Sequence, residues 1–154
     1  MVNQQFRKDY WVKGARALTG LDRSEILRAM PIVLTSHRPD VSLKATGSLG
    51  EITMSEAVYG PVLDQLADHK PKTLGQLEAA LKGSNVNLAQ IVEAALVLCG
   101  SGQLALAQSE ATISKARKAS DRLNAHLVPK ARSSGEIAFL SSPVIGGGVS
   151  VGRF

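Results

Sequence analysis

Cysteine and histidine supply the usual nucleophiles, bases and metal ligands, and this sequence holds one cysteine and three histidines. A nucleophilic thiol needs a neighbouring base or cation that lowers its pKa. Cys99 instead falls on the apolar face of a predicted helix, with Leu88, Ile91, Val92, Ala95 and Leu98. A thiol there acts as a small hydrophobe. His37, His69 and His126 form no paired-ligand spacing with one another or with Cys99. The run Gly146-Gly-Gly148 is followed by Val-Ser-Val, not by the Lys and Ser/Thr that a phosphate cradle needs at a helix start. A hairpin turn accounts for it better. No catalytic residue, cofactor-binding residue or metal ligand is expected.

The charged residues say more. The chain carries a net charge of +5, yet no Lys or Arg occurs from Gly83 to Ser114. Cations gather just beyond, at Lys115, Arg117, Lys118, Arg122, Lys130 and Arg132. Such a cluster suits a nucleic-acid backbone, an acidic partner or an anionic surface, and it is equally the mark of a solvated helix face. Asp121 interrupts it and no aromatic residue is interleaved for base stacking.

Of the 154 residues, 44% are hydrophobic and 20% charged, the balance of a chain that builds a core. The longest apolar stretch, around 91–99, is too short to cross a bilayer, and the N-terminus has no apolar signal region. A lone cysteine excludes an internal disulfide and fits a reducing cytoplasm.

These residues must be positioned by a mixed α+β fold. Alternation of Phe6, Tyr10 and Val12 predicts a strand. A short helix follows, capped by Asp22 and stopped at Pro31. Residues 32–35 read as a buried strand, and 41–46 and 51–54 as a hairpin. From about Ser55 the period turns helical. Val62, Leu63 and Leu66 share a face, with Gly60-Pro61 starting or kinking the helix. Thr73-Leu-Gly-Gln76 spells a capping box, and Asn87 caps a third helix. Residues 103–107 then form a strand. Three helices and a strand is the order of a winged helix, but the third helix offers Asn87, Gln90, Glu93 and Ser101 where a DNA reader places cations. Ile113, Ala116, Ser120, Leu123 and Leu127 predict a further helix over 114–128, ended by Pro129, and a C-terminal hairpin closes the chain. The division expected is a mixed α/β region at 1–54 and a winged-helix-like region, with the added basic helix and hairpin, at 55–154.

Several stretches resemble a known family. Phe6-Arg-Lys-Asp-Tyr-Trp-Val, Val58-Tyr-Gly-Pro61, Arg122-Leu-Asn124 and Leu140-Ser-Ser-Pro-Val-Ile-Gly-Gly-Gly-Val149 are similar to the predicted regulatory domain of bacterial S-adenosylmethionine-dependent methyltransferases, which include protein-lysine methyltransferases. The resemblance runs from Phe6 to Phe154 and implies a non-catalytic accessory domain. The family's Rossmann-type catalytic domain has no counterpart in this sequence, so the chain is expected to be a fragment or domain of a longer protein. The implied partner is that catalytic domain, with a protein substrate as a further contact. Tyr10 and Trp11 are the expected contact residues, the rival reading being that both rings are simply core, and Lys115, Arg117, Lys118 and Arg122 are the charged candidates. The competing reading is a nucleic-acid-binding winged helix that uses 115–132; membrane binding is not expected.

Overall fold

Alternation and capping, more than any single motif, set the order of elements. The structure, a computed structural model, describes residues 11–47 and 50–151. It is an α+β fold: α1 Gly20–Ala29, β1 Pro31–Leu34, β2 Lys44–Gly47, β3 Gly50–Thr53, α2 Glu56–Leu66, β4 Lys72–Thr73, α3 Leu74–Ala80, α4 Leu88–Gly100, β5 Leu104–Leu106, α5 Glu110–Ser133, β6 Phe139–Ser142 and β7 Gly147–Ser150.

β1 is the centre of a three-stranded antiparallel sheet in the order β4-β1-β5. Ile32 and Leu34, two residues apart, turn to one face and join the core with Val62, Leu63 and Leu66 of α2, Leu74 and Leu77 of α3, and Ile91, Ala94, Ala95 and Leu98 of α4. Helices α2, α3 and α4 and then β5 follow one another, the order that the sequence likened to a winged helix. The sheet departs from it, because its central strand comes from before α2 and β5 runs on into α5 instead of returning as a wing. The expected division between 54 and 55 therefore runs through this core: β1 lies on one side of it, its partners β4 and β5 on the other.

Three local expectations need correction. The cap of α1 is Thr19, not Asp22. Thr19 Oγ1 accepts from the Asp22 N–H at 3.1 Å and the Asp22 carboxylate accepts from the Thr19 N–H at 3.3 Å, a reciprocal box that places Asp22 inside the first turn. Pro129 does not end α5, which runs from Glu110 to Ser133, and Pro61 lies inside α2. Each proline frees only the carbonyl four residues back, on Ala125 and Ala57, and both of those residues face water, where a carbonyl needs no protein partner. Finally, residues 11–19 form neither strand nor helix, so Val12 is not part of a strand. Phe6 and Tyr10 lie outside the described residues.

Candidate interaction surfaces

The segment that leads into α1 is apolar yet uncovered. Trp11 is 93% exposed, and Val12, Leu18, Leu21 and Ile26 are exposed with it. No residue of α1 is buried. The helix is fastened at its far end, where Arg28 donates twice to Glu78 of α3, Nε to Oε2 at 2.7 Å and Nη2 to Oε1 at 3.1 Å. Those hydrogen bonds hold the Glu78 carboxyl below the usual carboxylate range and raise Arg28 further. Gly75 permits the approach: a Cβ there would stand 3.2 Å from both the carbonyl oxygen and the Cβ of Arg28. Of the two expected contact residues, Trp11 is thus on the surface; Tyr10 lies outside the described residues.

The charged candidates Lys115, Arg117, Lys118 and Arg122 are all exposed on α5. That helix packs against the β6–β7 hairpin through one amide. Asn124 Nδ2 donates to the Ser141 carbonyl and its Oδ1 accepts from the Ser141 N–H, both at 2.8 Å, as a neighbouring strand would. Ser141 Oγ also donates to buried Ser120 Oγ at 3.1 Å. Two of the stretches that carried the resemblance, 122–124 and 140–149, meet here. The hairpin turn is held from its other end, where the Gln108 N–H donates to the Val144 carbonyl at 2.7 Å. Gly146, at φ +69°, lies so close to Gln108 that a Cβ would be 2.9 Å from its Nε2. Its glycine requirement is that of a turn, as the sequence indicated, with a close approach added.

Between α5 and the hairpin lies a groove of about 430 Å³, with Ala116, Leu123 and Leu127 on one side and Phe139, Leu140 and Pro143 on the other. Sequence periodicity gave Leu123 and Leu127 to a packed helix face. The opposing hairpin wall gives no local signal, because it depends on the Asn124–Ser141 register.

α4 is poorly equipped to read bases. Asn87 and Gln90 are occupied by a capping box, the Gln90 N–H donating to Asn87 Oδ1 at 3.1 Å and the Asn87 N–H to Gln90 Oε1 at 3.0 Å. Ser101 Oγ donates to the Leu98 carbonyl. Glu93 is exposed and lies beside Tyr59, whose phenol is raised by burial and further by that carboxylate.

The structure does bring His37 and His69 together, edge to face with ring centres 5.6 Å apart. His69 Nδ1 lies 3.0 Å from the Leu34 carbonyl, which fixes Nδ1 as a donor. Nearby Arg38 Nε donates to Asp64 Oδ1 at 2.8 Å. Among the described residues no three His, Cys, Asp or Glu side chains converge on a metal position. Cys99 is half-buried and burial pushes its thiol up, the opposite of activation. Among the described residues no helix is long and apolar enough to cross a membrane.

No protein-family model matches the chain, and no solved structure matches it. It is similar to the uncharacterized protein sll1526 of Synechocystis, 32% identical over 152 residues that cover 99% of this chain and 30% of the relative. The chain thus spans less than a third of that relative's length.

Proposed function

We propose that this chain is a non-catalytic regulatory or accessory domain of a bacterial S-adenosylmethionine-dependent methyltransferase, working in the cytoplasm through contacts with the catalytic domain. The observation that carries the reading is the exposure of Trp11, with Val12, Leu18, Leu21 and Ile26 also exposed along the segment that leads into and through α1. Large exposed apolar patches mark interfaces, and aromatic side chains are enriched there. The four stretches that resemble the regulatory domain support it. So does the relative, in which a region similar to this chain is part of a much longer polypeptide. The mechanism would be selective packing: the domain can shift the catalytic domain between open and closed states only by contacting one of them better.

The test is a calorimetric titration of this chain into the remainder of the Synechocystis relative, produced separately. Binding is expected, and Trp11→Ala should weaken it by about tenfold, the cost of losing a central aromatic anchor. Thermal unfolding should stay unchanged, because the ring is exposed. Absence of binding, or equal binding by the variant, rejects the reading.

A further inference from the structure

α5 sorts its charges by side. At 3.6 residues per turn, Lys115, Lys118, Arg122 and Lys130 lie along one side at steps of three, four and eight, over about 22 Å. Ala116, Leu123 and Leu127 run beside Lys115, Arg122 and Lys130 as the floor of the groove, and the hairpin is its far wall. Glu110 and Arg117 fall on the opposite side of the helix, and Asp121 stands three residues from Lys118 at the edge of the stripe. Among the described residues, no cation of the stripe makes an ion pair; the pairs present all lie elsewhere. The groove is also open: Leu123 is 49% exposed and Phe139 59%.

The geometry points to a docking site on this surface for an acidic amphipathic helix of a partner protein, its apolar residues in the groove and its carboxylates along Lys115, Arg122 and Lys130. Charge complementarity selects the occupant: a cationic bank with no ion pair among the described residues, beside an apolar floor, leaves an acidic helix little to desolvate without compensation. A nucleic acid would use the stripe but leave the floor bare, and Phe139 alone is no stacking platform. A bilayer accepts an apolar ridge, whereas this floor is recessed between helix and hairpin. The inference does not depend on the methyltransferase reading.

The experiment is fluorescence anisotropy with the whole chain and a fluorescein-labelled synthetic helix of about 15 residues, the length that matches the stripe at 1.5 Å per residue. The probe carries leucines at i, i+3, i+4 and i+7 and glutamates elsewhere. Its lysine-for-glutamate version, a short DNA duplex and anionic-lipid vesicles are titrated alongside. The acidic helix is expected to bind and the lysine version not. Arg122→Glu and Phe139→Ser, both at exposed positions, should each weaken binding by about tenfold or more with the circular dichroism unchanged. Arg117→Glu, on the far side, should change it by less than about twofold. Failure of the acidic helix to bind overturns the proposal. So does tighter binding of the duplex or vesicles, an Arg117→Glu loss as large as that of Arg122→Glu, or indifference to Phe139→Ser.

Discussion

α4 and α5 stand a three-residue strand apart and meet solvent in opposite ways. α4 has 13 residues, four of them buried, and no cation. α5 has 24 residues, only Ile113 and Ser120 buried, and all six cations from Lys115 to Arg132. The helix that sequence order likens to a DNA reader is here closed by packing and capping. The helix appended to it is the one left open and charged. Charge and burial are sorted together because an ion in the core costs several kcal/mol unless it is paired.

The sharpest way to break this contrast is truncation of one leucine on each helix. Leu98→Ala removes a side chain with no exposure in α4 and should cost about 2–5 kcal/mol in chemical denaturation. Leu123→Ala on α5 should cost under about 1 kcal/mol, since half of its side chain is already in water. Equal losses would show that α5 belongs to the core.

Asn124→Ala comes next. It orphans the Ser141 N–H and carbonyl, worth about 1–3 kcal/mol, and should speed amide exchange at Ser141 and along β6 while α4 stays protected. A smaller effect is expected at the caps. Asn87→Ala should lower stability by about 1 kcal/mol, measured by thermal unfolding. Ser109→Ala should lower it less, because α5 contributes less buried surface to global stability.

The gentlest probe is pH. The Glu78 carboxyl is lowered in the folded chain by Arg28, so their link is at full strength above the unfolded glutamate value, about 4.3. It fades as pH falls through the lowered folded value. Chemical shifts of the α1 amides should therefore move in that acidic window in the wild type. The amides beside Arg28 should stay flat in Glu78→Gln, while the core resonances of α4 hold in both.

Some of this was legible residue by residue. Thr73 with Gln76 and Asn87 with Gln90 are capping pairs readable at a spacing of three, and both boxes formed. The face of α4 was also legible, since Ile91, Ala95 and Leu98 recur at helical steps and are buried. Thr19 was missed because Asp22 is itself a favoured cap residue; only the reciprocal hydrogen bonds show which of the two stands outside the helix. Pro129 was over-read as a stop because the sequence does not say that Ala125 faces water.

The surfaces divide in the same manner. Composition and spacing determined, without any structure, that the chain is α+β, that cations skip the third helix and gather on the last, and that Cys99 sits on an apolar face. Those are properties of neighbours in sequence, fixed by the periods of helix and strand. Only the tertiary structure decided that β1 centres a sheet with β4 and β5, that His37 meets His69, and that Trp11 stands in water. Only it, too, set the hairpin against α5 to make a groove. The pairings among these join segments that are not neighbours in sequence, and they follow from how buried faces and backbone hydrogen bonds are satisfied together, which no local pattern records.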